Sequence, residues 1–273
     1  MSVKPRRATT RHARTPRQAR PALAAATVRR MSYQLHYWPG LPGRGEFVRL
    51  ALEATGAAFV DVARGAASPG QGLPAMLALM NDSQAAHRPL APPFLVDGAL
   101  VIGQTAAILH YLGPTLKLLP RNEGLRAWTQ QIQLTIADMV TEAHDTHHPI
   151  SSALHYEDQQ PEALRRARAF CTDRLPRYLA WFEQIVQRNP AGPRWLVGGR
   201  LSYADLSLFQ LVAGLQYAFP LAAGRVLAGT PGVLGLCGRV AALPRVAAYL
   251  GSPRRLAFNE QGVFRRYPEL DGA

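Results

Sequence analysis

Two short apolar runs, Phe94-Leu95-Val96 and Ala99-Leu100-Val101-Ile102, flank Asp97-Gly98. No other segment limits the possible folds as tightly. Asp-Gly tolerates the positive φ angles of a two-residue turn, so the two runs pair as an antiparallel hairpin. Upstream, Tyr33 to Tyr37 alternates like a strand, and Pro39, Gly40, Pro42 and Gly43 supply a turn. Phe47, Leu50, Ala51 and Ala54 then recur at helical spacing until Gly56 stops them. Residues 58–62 read as a second strand, 74–81 as one short helix in a loose segment spanning 64–92, and 104–112 as a helix closed by Gly113. The order β-α-β-α-β-β-α predicts an α/β domain of the thioredoxin-like kind, a mixed four-stranded sheet with a hairpin at one edge.

Beyond a linker at 116–122, nearly every pattern is helical. Helices are expected over 123–148, 161–188 and 202–217, with a Pro-interrupted pair across 231–250. Ser202 and Asp205 have the spacing of a capping box, and Leu201 with Leu206 that of a hydrophobic staple. Two devices fixing one helix start point to a buried helix that matters to the topology. The division expected is therefore 31–115 for the sheet domain, 116–122 for the linker and 123–273 for an all-α domain. Its last segment, 252–273, is aromatic and charged, as expected of a tail packed across the surface.

The formal net charge of +13 resembles a nucleic-acid signal until it is located. Residues 1–30 carry nine Lys or Arg and no acid, whereas 31–273 carry 22 basic and 18 acidic residues. The globular part is nearly balanced, and no nucleic-acid partner is expected of it. The segment 1–30 lacks apolar periodicity and reads as a disordered basic extension. An upstream start ahead of Met31, an acid-free targeting peptide and a basic arm all fit that composition. No run approaches the roughly 18 uncharged apolar residues of a membrane helix, and no signal-peptide core is visible. A cytoplasmic protein without a membrane partner is expected. Cys171 and Cys237 stand 66 positions apart within helical patterns, with no metal-type spacing, and read as buried, inert thiols.

Tyr-Trp-Pro (37–39) at a strand end, then Arg44-Gly45-Glu46 opening a helix, is similar to the tyrosine-type glutathione transferases, the alpha, mu, pi and sigma group of the cytosolic superfamily. Residues 93–98 (Pro-Phe-Leu-Val-Asp-Gly) and Gln104-Thr105-Ala-Ala-Ile resemble that superfamily's glutathione-recognition segment. Leu-Ser-Tyr-Ala-Asp (201–205) resembles the capped core helix of its helical domain. The resemblance covers about residues 32–250, with the motifs in order. It implies a homodimer, a site between the two domains, glutathione as co-substrate, a small hydrophobic electrophile as its partner, and a role in detoxification.

The resemblance also implies roles for single residues. Tyr37 stands where the family's catalytic tyrosine stands, as an O–H donor to the glutathione sulfur. No Ser, Thr or Cys lies between Tyr33 and Gly45, which argues against the serine and cysteine classes. Arg44 would put a cation near the thiolate or the tripeptide's carboxylates. It follows Tyr37 by seven positions, one more than the pi-like pattern, so the turn carries an insertion. Pro93 aligns with the superfamily's cis-proline. Here Pro92 precedes it and lacks an N–H, so the backbone pairing with glutathione keeps its acceptor half only. Gln104 and Thr105 open a helix whose free N–H groups suit an anion, and by resemblance hold the γ-glutamyl end. Arg88, ahead of His87 or Arg64, would take the glycyl carboxylate. Asp145 lies about where the family sends an acid across the dimer.

His144, His147 and His148 fall at i, i+3 and i+4 near the end of one helix. They read as a polar wall of the electrophile pocket or as exposed or capping side chains. That spacing also suits a metal, but the sequence offers no further ligand outside the helix, so no metal is expected. Two rival functions stay open: glutathione-dependent isomerisation or peroxide reduction, which needs the same thiolate, and a non-catalytic binding or scaffold role.

Overall fold

The computed structural model of the chain describes Met1, residues 32–66 and residues 68–272. The basic extension expected at 1–30 falls outside the described residues, Met1 apart. Four strands form one sheet in the order β2-β1-β3-β4: β1 Tyr33–His36, β2 Phe59–Asp61, β3 Phe94–Asp97 and β4 Leu100–Gly103. β1 and β2 are parallel, joined by the helix α1 (Gly45–Thr55). β3 runs antiparallel to β1, with His36 opposite Phe94, and pairs with β4 through the expected hairpin, where Gly98 has φ 63°.

α1 is buried along its whole first half, Gly45 to Leu52. Val48 and Leu52 join Tyr33, Leu35, Leu95, Ile108 and Leu112 in the core beneath the sheet. Phe47, Leu50 and Ala51 turn the other way, into the large core of the helical part. One helix thus serves two apolar clusters, and its apolar run shows no exposed stripe. The opposite sheet face is covered by α2 (Gly72–Asn81), whose Met76 packs on Phe94 and Ala63.

The helical part comprises α4 (Glu123–Asp145), α5 (Gln160–Ala169), α6 (Leu175–Gln187), α7 (Tyr203–Ala218), α8 (Pro220–Leu227), α9 (Pro231–Ala241) and α10 (Pro244–Leu250). α7 is the buried helix that its start signals predict. Asp205 accepts from the Ser202 N–H and the Ser202 hydroxyl, both at 2.7 Å, and from the Leu196 N–H at 2.7 Å. The side chain of Asp205 is fully buried, which pushes its pKa up to about 6 against the pull of those donors.

Several boundaries differ from expectation, each for a physical reason. Gly113 does not close α3 (Thr105–Thr115). It sits inside the helix because a Cβ there would lie 2.8 Å from Leu119 and 3.1 Å from Tyr203. The helix ends at Thr115 and is closed by Lys117, in the left-handed region at φ 59°, with Leu118 N–H donating to the Gly113 carbonyl at 2.9 Å. α4 ends at Asp145 rather than His148, because Pro149 disfavours a helical residue before it. The helix expected over 161–188 is interrupted by a wide π-turn, Phe170–Arg174. Pro176 follows that turn, and its missing N–H and its ring are incompatible with regular bonding four residues back. α8 was not expected at all. Among the described residues no single helix is long and apolar enough to cross a membrane.

Candidate functional site at the end of the central strand

Tyr37 leaves β1 and folds back against the turn that follows. A Cβ on Gly43 would sit 2.2 Å from the Tyr37 hydroxyl oxygen, and one on Gly45 would sit 2.5 Å from its ring. Only residues without side chains let the backbone lie this close to the ring. The Arg44 N–H donates to the Tyr37 hydroxyl at 2.9 Å. That bond occupies a lone pair and leaves the phenolic proton free to donate, with no acceptor among the described residues. Tyr37 is 5% exposed, and burial raises its pKa above the ordinary value. The group is therefore a phenol donor at neutral pH and not a base.

The turn is held from below by Arg49, whose guanidinium donates to the carbonyls of Leu41 (3.2 Å) and Pro42 (3.4 Å). Arg49 also pairs with Asp61 at 2.6 Å and with Glu46 at 3.3 Å, and it is 1% exposed. Glu46, itself fully buried, accepts from the Tyr249 hydroxyl at 2.5 Å and from Arg255 at 2.5 Å. Buried charges survive when paired and hydrogen-bonded in this way. From the sequence, Glu46 enters only as part of the 44–46 motif, and Arg49 is not singled out. Two opposite charges three residues apart in the buried first half of α1 were the available signal.

Three further elements end near Tyr37. Because His36 pairs with Phe94, Tyr37 and Pro93 share one end of the sheet. The Pro92–Pro93 peptide is cis, and Pro93 is buried while Pro92 is half-buried. Gln104 is exposed at the head of α3, with φ 66°. Thr105 is half-buried and its hydroxyl donates to the Arg44 carbonyl at 3.3 Å. Arg44 itself reaches Thr141 on α4 at 3.4 Å. A cavity of about 340 Å³ opens between these pieces, lined by Arg44, Gln104 and Thr105 on one side and by Gln133, Val140 and Thr141 of α4 on the other. Among the candidates, the structure brings Tyr37, Arg44, Pro92, Pro93, Gln104 and Thr105 to one end of the sheet. Arg88 is exposed and has no hydrogen bond or ion pair among the described residues.

Where α4 ends, the histidines do cluster. Ring centroids lie 4.9 Å apart for His144 and His147, 5.1 Å for His144 and His148, and 4.7 Å for His147 and His148. Burial, aided by the Arg44 and Arg265 guanidiniums, lowers the pKa of His144 to about 4 and, with Arg265, that of His147 to about 3. His148 is lowered as well, first by burial. Asp145 is half-buried, 3.7 Å from His144 Nδ1 and 4.0 Å from Arg166, and its pKa is raised by desolvation. The Arg44 guanidinium acts on both His144 and Asp145, so this cluster adjoins the Tyr37 turn. Both cysteines are pushed up to about 12 by burial, which leaves neither as a nucleophile.

The tail contributes too. Asn259 donates to the Gly40 carbonyl at 2.9 Å, and the Val263 carbonyl meets His147 Nε2 at 2.9 Å. Residues 40 and 259 carry no mutual sequence signal, which is why reading the sequence missed this contact.

Residues 144–253 match the family model described as "Glutathione S-transferase, C-terminal domain". The chain is 29% identical over 240 residues to glutathione S-transferase alpha-3 of Rattus norvegicus, covering 84% of this chain and 94% of that one. It is 28% identical over 232 residues to glutathione S-transferase A2 of Bos taurus, covering 84% and 93%. The Pi-class glutathione S-transferase structure of Onchocerca volvulus superposes with a TM-score of 0.62 at 22% identity, over 81% of this chain and 92% of that one. Together these matches support the cytosolic glutathione S-transferase superfamily. Its mixed-sheet domain and helical domain are the thioredoxin-like and all-α parts of that fold.

Proposed function

We propose that this chain is a glutathione transferase, which ionises glutathione at Tyr37 and transfers it to hydrophobic electrophiles. The observation that carries the reading is the Tyr37 hydroxyl, which accepts the Arg44 N–H at 2.9 Å and keeps its own proton to donate. A thiol with an ordinary pKa of about 8.5 is only a few per cent ionised at pH 7. Lowering that value by about two units takes roughly 2.7 kcal/mol of preferential stabilisation of the anion. A charge-assisted O–H···S bond supplies much of it, and a hydroxyl already accepting an N–H is polarised into a better donor.

In this reading residues 31–115 hold the tripeptide and 123–273 shape the electrophile pocket. The γ-glutamyl carboxylate lies on the free N–H groups at the head of α3, beside Gln104 and Thr105. The Pro92 carbonyl accepts from the cysteinyl N–H, Arg44 and Arg88 answer the remaining glycyl carboxylate, and His144, His147 and His148 border the electrophile. The proposal includes a homodimer, to which Asp145 would lend an acid across the interface. Sedimentation at twice the 29.8 kDa chain mass is the expected result. A cytoplasmic, detoxifying role is part of the same proposal.

The deciding experiment compares wild type with Tyr37→Phe. Thiolate absorbance of bound glutathione against pH should show the thiol pKa climbing by about one to two units in the variant. Turnover of a chlorodinitrobenzene-type electrophile should fall about 10- to 100-fold near pH 7, with a smaller loss at high pH. Tyr33→Phe, on the same strand but in the core, should leave the titration unchanged. An unchanged titration in Tyr37→Phe would remove Tyr37 from the mechanism.

One observation favours a second reading. Pro92 has no N–H, and one neutral hydrogen bond to glutathione is worth about 0.5–1.5 kcal/mol. A protein that binds without turnover would show glutathione affinity in calorimetry and no thiolate absorbance at pH 7. Isomerase or peroxidase chemistry would instead retain the thiolate and differ in the second substrate.

A further inference from the structure

We propose that His144, His147 and His148 form a binding site for a borderline divalent transition-metal ion such as Zn²⁺, a property separate from the transferase reading. Three observations converge. The first is the placement of the rings. In a tetrahedral three-histidine site with metal–nitrogen distances of about 2.0–2.1 Å, each imidazole centroid lies about 3.2 Å from the ion, and neighbouring centroids about 5.2 Å apart. The three separations here are 4.9, 5.1 and 4.7 Å, close to an equilateral triangle. One ring nitrogen from each histidine lies within 4.8 Å of the others. Side-chain rotation of about an ångström or so brings such nitrogens to the roughly 3.3 Å spacing of a tetrahedral set.

The second observation is the tautomer. The Val263 carbonyl can only accept, so at 2.9 Å it requires the proton of His147 on Nε2 and leaves the lone pair on Nδ1. A backbone carbonyl orienting the far nitrogen of a ligating imidazole is the outer-shell partner that metal-bound histidines use. His147 Nδ1 points at His148 Nδ1, 2.5 Å away. In the metal-free protein His148 donates to it. An ion entering between them takes the lone pairs of both Nδ1 atoms, and the His148 proton moves to its Nε2.

The third is access and charge. His147 and His148 are 1% and 8% exposed, while the His144 side chain is 22% exposed and gives an entry path. A neutral imidazole keeps one ring nitrogen as a lone pair for an ion. The Arg265 and Arg44 guanidiniums oppose a further positive charge, and His155 also faces His148. Asp145, 3.7 Å from His144 Nδ1, and Glu157, which acts on His148, offset them. The sequence suggests no fourth protein ligand, and three imidazoles plus water complete a four-coordinate site.

The test uses the full chain, stripped with a chelator and kept free of glutathione. Titration with Co²⁺ should produce the ligand-field absorption of a low-coordinate nitrogen site at one ion per chain, and Zn²⁺ should displace it. His144→Ala, at the half-buried position, should weaken Zn²⁺ binding at least about 10-fold in competition with a chromophoric chelator. His148→Ala should do the same, provided its circular dichroism matches wild type. His155→Ala and Cys237→Ser should bind as wild type does. Absence of the Co²⁺ band, or a band that survives in His144→Ala and disappears in Cys237→Ser, overturns the proposal. Because no glutathione is present, neither result depends on whether Tyr37 ionises a thiol.

Discussion

The starts of α7 and α9 look alike in outline and differ in origin. α7 begins on its own sequence: Ser202 and Asp205 stand three residues apart, and the Asp205 carboxylate collects the donors. α9 is capped from 49 residues away, with Glu183 accepting the Gly232 N–H at 3.0 Å and the Val233 N–H at 2.8 Å. α8 is similar, since Asp271 in the tail takes the N–H groups of Leu221 and Ala222 at 2.8 and 2.9 Å. All three helices satisfy the same need, free N–H groups at a helix head. A local cap forms with its helix, whereas a remote one forms only after the chain has come together. The candidate site divides along the same line. Tyr37 and Arg44 meet across seven residues, while His147 meets Val263 across 116.

The largest expected effect tests the local side. Asp205→Ala leaves the Leu196 and Ser202 N–H groups without their acceptor in a fully buried position, and should cost about 3–4 kcal/mol. Denaturant unfolding checks this, and a loss under about 1 kcal/mol would show that the capping box is dispensable.

A second effect depends on pH and belongs to the sheet. His36 is 1% exposed, stacks on Phe94 at 4.4 Å, and neither ring nitrogen has a hydrogen-bond partner among the described residues. Burial lowers its pKa to about 4 against 6.5 unfolded. The fold therefore holds the neutral form, and that stability is intact above pH 6.5 and is lost as pH falls toward 4. The slope approaches about 1.4 kcal/mol per pH unit, so the loss should reach about 2–3 kcal/mol near pH 4.5. Unfolding at a series of pH values measures it. His36→Phe should remove its share of this slope and leave that of His144, His147 and His148, and an equal slope in both proteins would assign the effect elsewhere.

The remote side gives smaller numbers. Asp271→Ala removes a cap from a short helix and should cost about 1–2 kcal/mol. Were the melting of Asp271→Ala to match that of Asp205→Ala, the distinction between local and remote caps would fail.

Least disturbed should be the thiol titration of Arg44→Ala. Its backbone N–H still reaches Tyr37, so the bound thiol pKa should move by about half a unit at most. The KM for glutathione should rise with the loss of the guanidinium. A shift as large as that of Tyr37→Phe would place the activating charge on the Arg44 side chain.

Much of the molecule could be read from short stretches of chain. The Asp97-Gly98 hairpin, the alternation at Tyr33 and the head of α7 each contain their own determinants within a few residues, and each formed as expected. Gly113 shows the limit of that method. A glycine at the end of an apolar period reads as a stop, but the Tyr203 ring, 90 positions away, made it a packing glycine inside α3. α8 escaped notice because its cap lies in the tail, and Pro220 alone does not announce a helix.

By itself the sequence determined the order of strands and of helices other than α8, the turn at Asp97-Gly98, the capped start of α7 and the residue types at the head of the candidate site. These depend on backbone preferences and on bonds spanning a few residues, which the chain carries wherever it goes. Tertiary structure alone decided that Glu46 would be buried against Tyr249 and Arg255, that the tail would reach Gly40, and that three histidine rings would close into a triangle beside Val263. Those contacts join residues some 100 to 220 positions apart. The burial of charge and imidazole that they create exists only once water has been excluded from the assembled core.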